Sequence, residues 1–252
     1  FASVSYHPPE VQDIDGPGAF RAATVGGQEV VITGKHFGPV TVGAAPDSTA
    51  TGDILGGYGH VASGTWTQRY AGLDCHVTSA HTQIRCKTAV GTGKDYAWRG
   101  NVGNQDSLVF TDVLAHYAPP VVINFKGVGA VDADTNGDEE VLIEGRQFGT
   151  VAANSIDKVT YGETGDEYNA TCVVLEDHTA LNCTTTEGAG LGLKWRVTID
   201  GQASVTPTTE YAPPSIAKVA PLGIGVDVDE LLSDGGQVVH ISGDDFGPAR
   251  TY

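Results

Sequence analysis

The segment Gly-Gly-Gln-Glu-Val-Val-Ile-Thr-Gly-Lys-His-Phe-Gly, residues 26–38, decides the fold because the chain contains three versions of it. It returns 111 residues later as residues 137–149, and 209 residues after the first version as residues 235–247. In the first version Val30 and Ile32 occupy alternate positions between bounding glycines, which is the two-residue period of a β-strand. Similarity at fixed offsets indicates tandem structural repeats.

Other matches set the limits of the repeats. A Tyr-x-Pro-Pro motif begins at Tyr6, Tyr117 and Tyr211, and two cysteine pairs and two tryptophans recur 97 residues apart. Because the offset falls from 111 to 97, repeat 1 has 14 extra residues between Pro39 and Leu73. We therefore divide the chain into the end of a preceding repeat (1–5), repeat 1 (6–116), repeat 2 (117–210) and the start of a third, incomplete repeat (211–252).

The pattern predicts an all-β fold of tandem immunoglobulin-like Greek-key β-sandwiches. Strand-like segments alternate with Gly-rich turns, and no window shows a sustained 3.6-residue apolar period. Val77 and Ile84 flank a polar turn, which predicts a hairpin with one cysteine on each strand. A repeat of about 90 to 110 residues has the size of one such sandwich.

The four cysteines form two pairs, Cys75 with Cys86 and Cys172 with Cys183, each separated by 11 residues. Equal spacing predicts one local disulfide per repeat, whereas four buried thiols would leave that spacing unexplained. Together with nearby histidines the cysteines could be read as zinc ligands, but their spacing fits no usual zinc pattern. Disulfides imply an oxidising compartment, so we expect an extracellular or cell-surface protein.

These motifs resemble the IPT/TIG repeat, an immunoglobulin-like fold found in plexins, transcription factors and large surface proteins. The resemblance rests on the Pro-Pro opening at residues 8–9, the Gly-x-x-Phe-Gly turn at residues 34–38, the hairpin cysteines and the Gly-x-Gly stretch before Trp98, all of which recur in repeat 2. The family motifs are turns, disulfides and core positions, so the resemblance implies a chain without catalytic residues.

A narrower similarity concerns the segment that follows each tryptophan. The strand that begins near Trp98 continues to Gln105 and Ser107, and the same pattern follows Trp195. In this respect the chain resembles repeats of large fibrocystin-like surface proteins of algae and protists.

The charge excludes several functions. Asp and Glu number 31 against 14 Lys and Arg, which gives a net charge of −17. Such a surface repels phosphate backbones and anionic lipid, so we expect neither nucleic acid nor direct membrane insertion, and no apolar run reaches the length of about 18 residues that a spanning helix needs. No nucleophile motif such as Gly-x-Ser-x-Gly is present, and we expect the protein not to be an enzyme.

One acidic segment has the pattern of a calcium loop. Asp132, Asp134, Asn136 and Asp138 place oxygen ligands at alternate positions around a glycine. The twelfth position, where a bidentate Glu is expected, is Ile143, and an acidic solvent-exposed loop is the competing interpretation. Calcium is therefore the one cofactor that the sequence leaves open.

Two further groups of residues are candidate sites. The sequons at Asn169 and Asn182 predict covalent glycans on repeat 2. The long apolar side chains of the expansion in repeat 1 show no recurrence in the sequence, and a long loop of that composition predicts a contact surface with neighbouring subunits. Those residues are Ile54, Leu55, Tyr58 and Trp66.

The sequence thus favours a structural repeat protein of an extracellular fibre or cell-surface coat. Its copies or repeats would associate head to tail into filaments. The alternative is a receptor or adhesion ectodomain that binds a protein or glycan ligand, and a carbohydrate-binding accessory module comes third.

Overall fold

Strands make up almost all regular structure in the residues that a computed structural model describes, namely 4–40, 55–204, 208–209, 211–221, 236 and 238–249. One turn of 3-10 helix, Val128–Ala130, is the exception within these ranges. The predicted all-β chain of immunoglobulin-like sandwiches is confirmed. No helix of the described segments is long and apolar enough to cross a membrane.

The described residues of repeat 1 form ten strands, and each is short, as expected for a chain interrupted by glycine-rich turns. They are β1 (Glu10–Asp15), β2 (Phe20–Ala22), β3 (Glu29–Lys35), β4 (Leu55–Ala62), β5 (Thr65–Ala71), β6 (Leu73–Ser79), β7 (Gln83–Lys87), β8 (Tyr96–Val102), β9 (Gln105–Asp106) and β10 (Phe110–Tyr117).

The ten strands form two sheets that enclose the core. One sheet has the order β1-β3-β7-β6 and the other β2-β10-β8-β4-β5, with β9 paired to β8. The largest fully buried side chains include Trp98 and Tyr58 from the second sheet and Phe37 from the turn after β3. Alternate residues of β3 point inward, since Val30 and Ile32 are buried, as the sequence period predicts.

Repeat 2 follows the same plan with a continuous strand where repeat 1 has two. Its strands are β11 (Val121–Lys126), β12 (Glu140–Arg146), β13 (Ile156–Gly162), β14 (Tyr168–Glu176), β15 (Ala180–Thr184), β16 (Leu193–Ile199), β17 (Gln202–Ala203) and β18 (Thr208–Thr209). The first part of β14 pairs with β13 and the second part with β15, so β14 links the two layers. In repeat 1 the corresponding segment is divided into β5 and β6 at Gly72.

The third repeat begins in the same way as the other two. Its strands β19 (Ser215–Pro221) and β20 (Val239–Asp244) pair antiparallel with an irregularity two residues into the first strand, as do β1 with β3 and β11 with β12. At the first glycine of each Gly-x-x-Phe-Gly turn the neighbouring strand passes very close. An added Cβ at Gly34 would lie against the carbonyl oxygen of Glu10 and the Phe37 ring, which explains why glycine recurs there.

The two predicted disulfides are present. Cys75 is bonded to Cys86 and Cys172 to Cys183, and the Cα atoms are 4.1 Å apart in each pair. Both bonds join the two strands of a hairpin, as the sequence spacing predicts. The cysteines are therefore bonded to each other and cannot serve as thiolate ligands for zinc.

Candidate functional site: the junction between repeats and a groove on repeat 1

Repeats 1 and 2 contact each other through a set of polar groups. The side-chain oxygen of Gln147 accepts hydrogen bonds from the backbone N–H of Thr24 at 2.7 Å and from its hydroxyl at 2.9 Å. The same hydroxyl lies 2.7 Å from Nδ1 of His178, and Thr24 is 1% exposed. Gln147 and His178 both have positive φ, so two tight turns of repeat 2 present these side chains to repeat 1.

A second group of contacts lies beside the first. Asp200, in the turn between β16 and β17, accepts a hydrogen bond from Arg69 at 2.7 Å and another from the hydroxyl of Thr92. The Asp200 side chain is 17% exposed, so this ion pair is partly shielded from solvent screening. The side-chain amide of Gln202 donates to the backbone carbonyl of Tyr117 at 2.9 Å. Polar and charged groups from both repeats therefore fix the orientation of this junction.

The next junction uses equivalent residues. The backbone N–H of Thr135, the counterpart of Thr24, donates to Asp245, the counterpart of Gln147, at 3.3 Å. Gly247 packs against Ala189 of repeat 2, as its counterpart Gly149 packs against Thr92 of repeat 1. One hydrogen bond and one close approach of the first junction thus recur at the second.

The first residues of the chain repeat part of this pattern. Gln105 donates to the carbonyl of Tyr6 at 3.1 Å, as Gln202 does to that of Tyr117. A cleft of about 810 Å³ opens at this end of repeat 1. Its lining includes His36, His81 and Gln105, which are the counterparts of Gln147, His178 and Gln202.

The tyrosines of the second and third Tyr-x-Pro-Pro motifs each belong to the core of the sandwich before them. Tyr117 is 1% exposed and its hydroxyl lies 2.6 Å from that of Tyr58, while Tyr211 is 4% exposed and pairs with Tyr161 at 2.6 Å. Burial, and next the neighbouring Tyr58, raise the pKa of Tyr117, so its hydroxyl stays protonated. Tyr6, in the same motif position, is 93% exposed.

The predicted contact surface in the expansion of repeat 1 needs a correction. Tyr58 is 1% exposed and packs on Trp98 with ring centroids 4.6 Å apart, so it is a core residue and the prediction of a surface contact was wrong for it. Its counterpart is Tyr161, which stacks on Trp195 at 4.4 Å. The recurrence was missed because Tyr58 follows Phe37 by 21 residues, whereas Tyr161 follows Phe148 by 13.

The other three residues of that predicted surface have different outcomes. Ile54 lies outside the described residues, and of Leu55 only the backbone, at the start of β4, is described. Trp66 is half-buried on β5, near the tip of the β4–β5 hairpin. The hairpin closes through Ser63 and Gly64, which both have positive φ, as a two-residue turn of this type requires.

Trp66 forms one wall of a shallow groove. Its indole N–H donates to the carbonyl of Ala97 at 3.1 Å, so the ring reaches from β5 across β4 to β8, and the guanidinium of Arg99 lies 5.5 Å from the ring centroid. Asp106 bonds Arg99 at 2.6 Å and Asn101 at 2.8 Å. The groove has a volume of about 470 Å³, and we call it the Trp66 groove; its side chains are Trp66, Gln68, Arg99, Asn101 and Asp106, above glycines 56, 57, 72 and 100.

The predicted calcium ligands do not converge on one point. Asp134 accepts hydrogen bonds from the backbone and side-chain amides of Asn136 at 2.8 and 2.7 Å, and Glu139 accepts one from the backbone of Asp134 at 2.9 Å. Among the described residues no three His, Cys, Asp or Glu side chains are grouped so that they could hold a metal ion. Asp132 and Asp138 lie at turn positions with positive φ, and calcium binding at this loop stays a prediction.

The two sequons differ in accessibility. Asn169 is exposed on β14, where a glycan has access to solvent. Asn182 lies on β15 between β12 and β14, and its side-chain oxygen is buried without a hydrogen-bond partner. Glycosylation of both residues stays a prediction, and the geometry favours Asn169.

Sequence reasoning missed most of the junction. Thr24 and Thr135 recur at an offset of 111 and could have been found by it. The residues that contact these threonines could not have been found in this way, because the corresponding position holds Gln147 in repeat 2 and Asp245 in the third repeat. Arg69 and Asp200 are 131 residues apart and show no periodic signal.

Comparisons with known proteins give distant structural similarities. The chain is similar to SGBP-B from a complex xyloglucan utilisation locus of Bacteroides uniformis, with 12% identity and a TM-score of 0.31, over 84% of this chain and 55% of that one. The extracellular region of plexin A4 has 7% identity and a TM-score of 0.30, over 81% of this chain and 27% of that one. The Escherichia coli adhesin FdeC has 9% identity and a TM-score of 0.31, over 80% of this chain and 64% of that one.

The chain thus spans between about a quarter and two thirds of the length of these structures. No protein-family model matches the sequence, and no curated protein matches it.

Proposed function

We propose that this chain is a segment of an extracellular or cell-surface protein whose immunoglobulin-like repeats stack in a fixed orientation to form a stiff rod. The observation that carries the proposal is that the contact of Thr24 with Gln147 between repeats 1 and 2 recurs between repeats 2 and 3 as the contact of Thr135 with Asp245. When every junction has the same geometry, the repeats add up to an extended structure rather than to a flexible string.

Two features support the extracellular location and the fibre. The two disulfides suit an oxidising compartment. The cleft at the other end of repeat 1 is lined by His36, His81 and Gln105, whose counterparts in repeat 2 contact repeat 1, so this end of repeat 1 suits the far end of another repeat. Repetition of such a head-to-tail contact does not close, and it generates a filament. The sequence pattern after each tryptophan, which resembles that of fibrocystin-like surface proteins, fits this proposal.

The alternative function is an adhesion or receptor ectodomain. The Trp66 groove favours it, because a half-buried tryptophan at the surface beside charged residues serves no purpose that the repeat fold requires. The two functions are compatible, since a stiff rod can carry a ligand-binding module.

The rod can be tested with a matched pair of glycine variants. Gly149 and Gly38 occupy the same turn position with φ of 78° and 82°, so alanine strains both equally. A Cβ at Gly149 would lie 2.8 Å from the Thr92 side chain of repeat 1, whereas a Cβ at Gly38 meets nothing within 4 Å. We expect Gly149→Ala to separate repeats 1 and 2 while each sandwich stays folded, and Gly38→Ala to leave their orientation unchanged.

Small-angle X-ray scattering provides the measurement. The wild-type chain and Gly38→Ala should show one narrow distribution of maximum dimensions, and Gly149→Ala a broad one. A broad distribution for the wild-type chain, or equal curves for the two variants, would contradict the stiff rod. Electron microscopy of native material then tests the fibre, since dispersed single particles at all concentrations would leave the ectodomain as the function.

A further inference from the structure

A comparison of repeat 1 with repeat 2 shows which residues the sandwich fold itself requires. Core residues such as Trp98, Tyr58 and Tyr117 have counterparts in repeat 2, so the sandwich needs them. Most side chains of the Trp66 groove have none: the counterpart of Asp106 is Ala203 and that of Asn101 is Thr198. The groove is therefore an addition to repeat 1 that the sandwich does not need.

The hairpin that carries Trp66 is also specific to repeat 1. Tyr70 follows Tyr58 by 12 residues, whereas the corresponding Tyr168 follows Tyr161 by only seven, so the β4–β5 hairpin extends further. In repeat 2 the counterpart of Arg99 is Arg196, which forms an ion pair with Asp166 at 2.6 Å, and the shorter hairpin of repeat 2 contains no counterpart of Trp66. The extra hairpin residues are thus what brings an indole over the arginine.

The chemistry of the groove matches a ligand with one flat apolar face and many hydroxyl groups. The Trp66 ring is an aromatic surface held in place by its hydrogen bond to Ala97 and by the Arg99 guanidinium. Around it Gln68 and Asn101 provide both donors and acceptors, and Asp106 provides acceptors only. A pyranose ring presents C–H groups on one face and hydroxyls at its edge. The C–H face can therefore stack on the indole while the hydroxyls form hydrogen bonds with the polar side chains.

The volume of the groove and the net charge of the chain further restrict the class of ligand. A volume of about 470 Å³ lies in the range of about 300–1,000 Å³ that small-molecule sites occupy. A stable protein interface buries about 800 Å² per partner around an apolar centre, whereas here a single indole is surrounded by charged and amide side chains. The net charge of −17 opposes nucleic acid as well as sulfated or uronic-acid sugars.

We infer that the Trp66 groove binds a neutral oligosaccharide, with a sugar ring stacked on Trp66 and its hydroxyls bonded by Gln68, Asn101 and Asp106. This inference does not depend on the stacking of the repeats. The rod could be correct without a sugar site, and the sugar site could exist on a flexible chain.

Tryptophan fluorescence makes the test specific. Trp98 and Trp195 are 0% exposed, so among the three tryptophans of the chain a change on ligand binding reports on Trp66. The probe is an array of neutral tetrasaccharides of glucose, xylose, mannose, galactose and arabinose, together with sulfated and uronic-acid counterparts. Any sugar that is bound is then titrated in solution against the whole chain while the fluorescence is followed.

We expect one or more neutral sugars to bind with a shift in Trp66 emission. Trp66→Ala and Asp106→Ala should weaken binding at least tenfold, and Trp66→Tyr should retain part of it. Arg99→Ala should weaken binding, whereas Arg196→Ala, the same position in repeat 2, should not. An unchanged melting temperature of Asp106→Ala and Trp66→Tyr separates loss of binding from loss of folding.

Three outcomes would overturn the inference. The array shows no binding of a neutral sugar, binding survives Trp66→Ala, or the charged sugars alone bind. A concentration-dependent dimer that Trp66→Ala abolishes, in the absence of sugar binding, would instead assign the groove to a lateral contact between copies of this chain.

Discussion

The hydroxyl of Tyr117 lies 2.6 Å from that of Tyr58, although Tyr117 is the first residue of the Tyr-x-Pro-Pro motif that leads into repeat 2. The Tyr117 hydroxyl also bonds the carbonyl of Ala89 at 2.8 Å, and Tyr58 accepts from the N–H of the same residue at 3.0 Å. The two hydroxyls thus provide hydrogen-bond partners for both backbone polar groups of Ala89.

Tyr117→Phe tests this arrangement. The variant leaves the carbonyl of Ala89 without its tyrosine donor in a partly buried position, and the cost is at the low end of the range of about 1–3 kcal/mol for an unsatisfied buried group. We expect the unfolding of repeat 1 to shift to lower temperature in calorimetry and that of repeat 2 to stay in place. Tyr211→Phe, which acts on Tyr161 and Thr186, is the matched control and should show the reverse. Equal shifts of both transitions in either variant would show that the tyrosine pair has no local role.

Removal of one disulfide should affect one repeat. Cys172→Ala with Cys183→Ala opens a loop of 11 residues, and the chain-entropy model gives a loss of about 3 kcal/mol for a loop of similar length. We expect the melting transition of repeat 2 to fall, while that of repeat 1, with Cys75 and Cys86 intact, is unchanged. Mass spectrometry of an unreduced digest of the wild-type chain checks the pairing. Bridges between repeats would contradict the structure.

The pH dependence of repeat 2 has a specific source in Glu167. The hydroxyl of Thr164, and then the backbone amides of the same turn, lower the pKa of Glu167 to about 2. A carboxylate with a lowered pKa in the folded state contributes stability above its unfolded pKa of about 4.3, and this contribution is lost as the pH falls toward 2.

Glu167→Gln should therefore lower the melting temperature of repeat 2 at pH 7 by a small amount, because the turn is exposed, and the difference from wild type should shrink as the pH falls from 4.3 to 2. Glu163→Gln on the same hairpin is the control. A difference that persists unchanged at pH 2 would show that the carboxylate is not the cause.

Glycosylation should follow side-chain access. We expect protein from its natural source to have a glycan on Asn169 and little on Asn182, because the side-chain oxygen of Asn182 is buried on a central strand. Amidase treatment in heavy-oxygen water, followed by peptide mass spectrometry, marks each occupied Asn as a labelled Asp. An unmodified Asn169 peptide in full yield would refute the prediction.

The sequence predicted those features that depend on identical residues at fixed offsets. The disulfides and the Phe-Gly turns were found in this way, and the tryptophans that recur at the same offset are buried in the structure. Tyr58 was assigned to a contact surface because insertions before and after it shift its offset to 103 residues, a value shared by no other motif.

The contacts between repeats were beyond such reasoning for a physical reason. The position that accepts hydrogen bonds from the preceding repeat holds Gln147 in repeat 2 and Asp245 in the third repeat. Glutamine and aspartate both have a side-chain oxygen that can accept a hydrogen bond from the threonine N–H, so the chemistry of the contact is retained although the residue is not.

The buried tyrosines also determine when each sandwich can finish folding during synthesis. Repeat 1 lacks its last strand, β10, and the hydroxyl that closes its core until Tyr117 has left the ribosome, by which time no strand of repeat 2 has yet emerged. Synthesis of the other strands of repeat 2 takes several more seconds at about 5–20 residues per second, so repeat 1 has time to close before a full set of competing strands is available. Since similar neighbouring repeats are prone to exchange strands, this order of emergence protects a growing chain from misfolding between its own repeats.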